Sequence, residues 1–203
     1  MNNSLIFVRI ATSADAKYAD EIVAETASSA LLRGSGIAKR TPASVVEKIN
    51  AGKAVIAVTA AGEWVGFSYL ESWQKNTFIS NSGLIVAPKF RNSGVAKSIK
   101  NRIFSLSRRL YPEAKIFSIT SGAPIMKMNS QLGFEPVTFA QITQDADFWE
   151  GCKSCVNYAI LESKNKSNCL CTAMLFSPAH IDQIIASAEN TLKLKKDLKL
   201  KSI

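Results

Sequence analysis

Histidine is nearly absent: a single one, His180, stands in 203 residues. It falls beyond the last apolar run, on a predicted surface helix, and is assigned to no site. Aromatic residues make up only 8% of the chain. Too few of them stand beside basic residues to build a base-stacking platform, so nucleic acid is not an expected partner. No apolar run approaches the length of a membrane span, and Met1-Asn2-Asn3-Ser4 lacks the basic start of a secretory signal. A cytoplasmic protein is expected. What remains is a globular composition, 47% hydrophobic and 20% charged, enough for one domain with a real core. Lysine and arginine outnumber acidic residues 25 to 16. Such a balance suits an anionic ligand, an anionic membrane or nucleic acid.

The most informative stretch runs from Leu84 to Ala96. Leu84-Ile85-Val86 is apolar and β-leaning, and Pro88 ends it, because proline cannot continue a sheet ladder. From Val95 onward apolar residues recur at Ile99, Ile103, Leu106 and Leu110, the spacing of an amphipathic helix. The reading is strand, tight turn, helix, with Gly94 and Ala96 where the helix begins. Free N–H groups at a helix start carry positive potential, and small residues let an anion approach them. The turn can therefore hold a phosphate or pyrophosphate, or be an ordinary corner that needs a glycine. It is neither a dinucleotide Gly-x-Gly-x-x-Gly nor a Walker loop.

Arg91-Asn92-Ser93-Gly94-Val95-Ala96 resembles the Arg/Gln-x-x-Gly-x-Gly/Ala turn of the GNAT acyltransferases, and Val86-Ala87-Pro88 supplies the Val-x-Pro that commonly precedes it. The resemblance covers roughly residues 5 to 142. It implies an α/β fold with a mixed, mostly antiparallel sheet flanked by helices. It also implies acetyl-CoA, or another short acyl-CoA, as cosubstrate. The N–H groups of Asn92, Ser93, Gly94, Val95 and Ala96 would grip its pyrophosphate, and the backbone of Leu84, Ile85 and Val86 would pair with the pantetheine arm. A coenzyme of that charge also accounts for a basic face.

Periodicity places strands at Leu5 to Ile10, Ala54 to Thr59, Trp64 to Trp73, Thr77 to Val86, Lys115 to Thr120 and Glu135 to Ile142. Helices are expected from Thr12 or Ser13 to about Leu32, from Thr41-Pro42 to Gly52, from Val95, and from Gly122 to Leu132. The acyltransferase domain is expected over residues 1–176, with a cysteine-rich insert at about 145–168 before the last strand. Residues 177–203 are expected to form a helix, opened by Ser177 and Pro178, and a basic tail. The apolar face of that helix is expected to pack on the domain or on a second subunit, which would allow a homodimer.

The four cysteines lie within twenty residues, as Cys152-x-x-Cys155 and Cys169-x-Cys171. In a reducing compartment the pattern favours a metal over disulfides. Asn168 to Phe176 reads as the last strand, so Cys169 and Cys171 would share a face, and four thiolates would close a structural zinc site. Four buried thiols, or a redox pair at Cys152 and Cys155, are the other readings. The wording around Phe148 to Cys152, Pro124 to Ser130 and Asn168 to Thr172 also resembles a bacterial GNAT subgroup associated with arginine biosynthesis. That likeness implies a small amine acceptor such as glutamate, an acidic amino acid whose carboxylates would need Arg or Lys partners. Arg33, Lys39 and Arg40 stand where the family borders its acceptor.

Acyl transfer from a thioester to an amine needs a base, an oxyanion donor and an acid for the leaving thiolate. The family's usual acid is a tyrosine four residues before the Gly of the Gly-Phe pair; here that position is Asn129. Ser121, Ser130, Tyr158 or water could serve instead, with Glu71 as a base acting through water. The expected activity is transfer of an acetyl or succinyl group to a small amine. The alternatives are acetylation of protein or peptide amines, and a coenzyme A-binding or zinc-stabilised module without catalysis.

Overall fold

The computed structural model describes residues 5–179; the predicted C-terminal helix beyond Ala179, with His180 and the basic tail, lies outside them. Seven strands form one sheet in the order β1-β2-β3-β4-β5-β7-β6. They are β1 (Ile6–Ile10), β2 (Ala54–Thr59), β3 (Trp64–Trp73), β4 (Phe78–Val86), β5 (Lys115–Thr120), β6 (Glu135–Val137) and β7 (Thr172–Phe176). All pairings are antiparallel except β4 with β5. A single parallel step follows from the crossover helix that joins those two strands, since parallel neighbours cannot be joined by a tight turn.

Both faces of the sheet are covered. On one lie α1 (Ala19–Leu32) and α2 (Pro42–Asn50), against Ala54, Ile56, Val58, Phe67, Tyr69 and Ile85. On the other lies α3 (Val95–Leu110), against Val55, Ala57, Val65, Leu70, Ile79 and Val86. Strand β2 is therefore buried at every position and apolar up to its last residue, Thr59, because its alternate residues meet different helices. The predicted caps hold where they can be seen: Thr41 accepts from the Ser44 N–H at 3.2 Å, with Pro42 at the first helical position. The predicted first helix opens as a 3₁₀ turn, Ser13–Tyr18, before α1. Asp15 stabilises the start of that turn by accepting the Thr12 N–H at 2.8 Å and both terminal nitrogens of Arg9. The Arg9 hydrogen bonds hold its carboxyl below the usual range.

Two predicted strands are shorter than their apolar patterns. β6 stops at Val137 because Thr138 opens a 3₁₀ turn, its N–H donating to Gln141 Oε1 at 3.0 Å. The last strand begins at Thr172, not Asn168. Helix α4 (Ala123–Gln131) lies between β5 and β6, and between β6 and β7 the chain forms α5 (Ala146–Gly151) and α6 (Tyr158–Ser163), which cover Phe117 and Ala173.

At Gly66 the strands approach α3 too closely for any side chain. A Cβ there would lie 2.7 Å from Ile99 Cδ1 and 2.8 Å from the Ile85 carbonyl oxygen. Because the second neighbour is backbone, Gly66→Ala should cost about 1–3 kcal/mol of stability. Chemical denaturation measures this, and an unchanged midpoint would contradict the packing described.

Candidate functional site

β4 and β5 pair only from Phe78–Lys115 to Ser80–Phe117, and β4 continues for another six residues, to Val86, without a β5 partner. Opposite, the β3–β4 register slips between Phe67 and Tyr69, whose partners are Ile85 and Ser82. Two steps along β3 thus match three along β4, a bulge. Gly83 sits in it with φ +65°, a conformation glycine adopts without steric cost. The bulge interrupts the β3–β4 register beside Leu84 and Ile85, next to the place where β4 and β5 part.

The open stretch of β4 leads directly into the turn. A 3₁₀ turn, Pro88–Phe90, brings the chain to Arg91, and Gly94 (φ +83°) precedes α3. The first bond of the helix is Ser98 N–H to the Gly94 carbonyl, 3.2 Å. The N–H groups of Val95, Ala96 and Lys97 thus lack acceptors within the helix, and Asn92, Ser93 and Gly94 are exposed beside them. A Cβ built at Gly94 would have nothing within 4 Å, so the space in front of these donors is open. Arg91 faces the other way. Its guanidinium donates to the Val86 carbonyl at 3.1 Å, to Glu25 at 2.8 Å and to Ser29 at 2.5 Å. It ties the end of β4 to α1 and so fixes the turn.

On the α1/α2 face a cavity of about 70 Å³ is lined by Arg40, Ser44, Val45, Lys48, Tyr69 and Glu71. Tyr69 and Glu71 are two apart on β3 and share that face. The Tyr69 ring lies against Gly83, where a Cβ would come within 2.5 Å of it. Arg40 Nε donates to the Tyr69 hydroxyl at 2.9 Å, and Lys48 pairs with Glu71 at 3.0 Å. Burial pushes the Tyr69 hydroxyl above its ordinary pKa, with Arg40 acting against the shift. Burial alone would lower Lys48, but hydrogen bonds to Glu47 and Glu71 hold it above its usual value.

The sequence matches no family model and no curated protein. Solved structures do resemble it. A Mycobacterium tuberculosis protein in complex with CoA is 15% identical, with TM-score 0.58, over 84% of this chain and 98% of its own. A GNAT superfamily phosphinothricin acetyltransferase from Sinorhizobium meliloti, in complex with acetyl-CoA, is 15% identical with TM-score 0.56, over 85% and 88%. The chain has the GNAT fold. N-acetylglutamate synthase from Neisseria gonorrhoeae, complexed with coenzyme A and N-acetyl-glutamate, shares it at 13% identity and TM-score 0.60. The likeness covers 87% of this chain but 36% of that protein.

Within the GNAT fold the residues expected to act do not all converge. Glu71 lines the cavity. Ser130 and Ser121 are exposed on or beside α4, and Tyr158 is half-buried at the start of α6, where it packs against the cluster around Phe117 and Trp149. None of these three lines the cavity. Of the basic residues expected near the acceptor, Arg33 and Lys39 are exposed and Arg40 alone is partly buried there. Asn129, at the usual tyrosine position, is fully buried. Its amide donates to Met174 Sδ at 3.5 Å, away from the cleft. Tyr69 escaped the sequence reading; the signal was its place two residues before Glu71, on one face of β3.

The structure gives the zinc expectation no support. Among the described residues, no group of three or more His, Cys, Asp or Glu is placed to hold a metal ion. Cys169 and Cys171 precede β7, so they do not share a pleated face; instead the Cys171 N–H turns back to Cys169 Sγ at 3.3 Å. All four cysteines are free and partly buried. Burial, then the neighbouring sulfurs, pushes Cys152 up to about 11 and Cys171 up to about 12. Both are therefore thiols at neutral pH, not nucleophilic thiolates. At pH 7 their alkylation in the folded protein should be at least ~100-fold slower than in the urea-unfolded chain. Mass spectrometry of iodoacetamide-treated protein reads this, and equal rates would contradict the shifts.

The cysteine segment touches the loop between α1 and α2. Lys39 N–H donates to Ser154 Oγ at 2.8 Å, and a Cβ at Gly36 would lie 2.6 Å from Cys155 Sγ. The same loop delivers Arg40 to the cavity.

Proposed function

We propose that the protein is an acyl-CoA-dependent N-acyltransferase that moves an acetyl or succinyl group to the amine of a small molecule, with glutamate or a related amino acid as the first acceptor to assay. One observation carries this reading. The open N–H groups at the start of α3 continue directly from the stretch of β4 that has no β5 partner. A diphosphate on those N–H groups places the pantetheine arm along β4 as an added strand. The thioester then reaches the bulge, where a backbone N–H of Leu84 to Val86 can stabilise the oxyanion of direct attack. The amine approaches from the cavity on the α1/α2 face. Glu71 lines that cavity and can take the amine's proton through a water, while Arg40 and Lys48 suit an acceptor that carries a carboxylate.

A second reading rests on Asn129. With the usual acid position occupied by a buried amide that faces Met174, a domain that binds coenzyme A without transferring it is the rival. Thiol release with acetyl-CoA and succinyl-CoA, tested across amino acids, peptides and no acceptor, separates the two. Turnover with an amino acid supports the transferase, and preference for peptides would move the acceptor to protein amines. Binding of coenzyme A with no thiol release from any acceptor establishes the rival.

A further inference from the structure

We infer that Tyr69, supported by Arg40, is the proton donor to the departing thiolate, in place of the tyrosine that α4 lacks. The inference rests on the transferase reading above and adds a catalytic residue to it.

Asn129 is enclosed in the core and cannot reach a substrate. Tyr69 lies on the other side of the sheet's parting, its ring against Gly83 in the bulge whose N–H groups would face the thioester. Its hydroxyl oxygen accepts from Arg40 Nε, which fixes the oxygen while leaving its own proton uncommitted. Among the described residues that O–H donates to no acceptor, and the side chain lines a cavity shared with Glu71. Arg40 is itself held from behind, its Nη1 donating to the Ala38 carbonyl at 2.9 Å. Burial keeps the phenol protonated at neutral pH, as an acid requires.

The step balances as follows. The amine nitrogen forms a bond to the thioester carbonyl carbon, and the carbon–sulfur bond breaks with its electron pair going to sulfur. Tyr69 transfers its phenolic proton to that sulfur, giving the coenzyme A thiol, and Arg40 Nε–H stabilises the phenolate. The proton lost by the amine passes through water to Glu71 and thence, by way of solvent in the cavity, back to Tyr69. The products are amide and thiol, with no other reactant needed.

The test compares wild-type, Tyr69→Phe and Arg40→Met proteins with the fastest acceptor of the panel. Two donors are used, acetyl-CoA and its selenium analogue, whose selenolate is a weak base that leaves without a proton. Tyr69→Phe should lower kcat with acetyl-CoA by about 100-fold and with the selenoester by less than about 5-fold, at unchanged melting temperature. Arg40→Met should show the same contrast, with a smaller loss. Equal losses on both donors, or no loss on either, would overturn the role of Tyr69 while leaving the transferase intact. If wild-type protein binds coenzyme A but releases no thiol with any acceptor, the transferase reading fails first and the role of Tyr69 fails with it.

Discussion

Lys100→Met should stabilise the protein by on the order of 3 kcal/mol at pH 7. Lys100 lies on α3 and is 2% exposed. It pairs with no carboxylate among the described residues; its ammonium meets only the Phe134 ring, 5.2 Å from the centroid. Burial drops its pKa from 10.5 to about 7. In the unfolded chain the amine keeps its proton up to its ordinary pKa, so between pH 7 and 10.5 the unfolded state binds more protons. In that window this residue makes stability rise with pH. Its cost is therefore greatest at and below pH 7 and fades toward 10.5. Methionine keeps the length and apolar stem without the charge, at the loss of a cation–π contact worth about 1 kcal/mol. Urea unfolding of both proteins at pH 7 and pH 9.5 should show a wide gap closing as pH rises. A gap that is absent, or constant with pH, would show that the buried amine is not penalised.

Gly94→Glu should weaken coenzyme A binding by at least about 30-fold, roughly 2 kcal/mol. Two effects combine. A non-glycine residue at φ +83° is strained by about 1–2 kcal/mol, which tilts the turn away from the arrangement that presents its N–H groups. The carboxylate then projects into the open space before those groups, where it repels a diphosphate and can cap the helix itself. Gly94→Ala carries the strain without the charge and should lose less. Calorimetric titration with coenzyme A reads both, and equal affinity across the three proteins would separate the turn from binding.

Much of this architecture could be read from local patterns. Apolar alternation and the Thr41-Pro42, Gly52 and Gly94 signals locate the helices and most strands, because caps and periodicity act over a few residues. The strand–turn–helix over Leu84 to Ala96 was legible for the same reason, since Arg91 to Ala96 are contiguous. The bulge at Gly83 was not, because it depends on the register of β3 against β4 rather than on either strand alone. Likewise Arg40 and Tyr69 are separated by 29 positions in sequence, and only the packing of α2 on the sheet joins them. The inward turn of Asn129 is set by β7, far along the chain. The cysteines are a related case: Cys169 and Cys171 stand before β7 rather than on it, so the shared pleated face read from their spacing is not formed. The folding of the insert, not the strand, makes the four sulfurs electrostatic neighbours.

The account depends on a diphosphate meeting the N–H groups at the start of α3, and amide NMR shifts on titration with coenzyme A observe that contact atom by atom. The largest shifts should fall on Asn92 to Lys97, followed by Leu84 to Val86. Saturable binding that leaves Asn92 to Lys97 unmoved would contradict it.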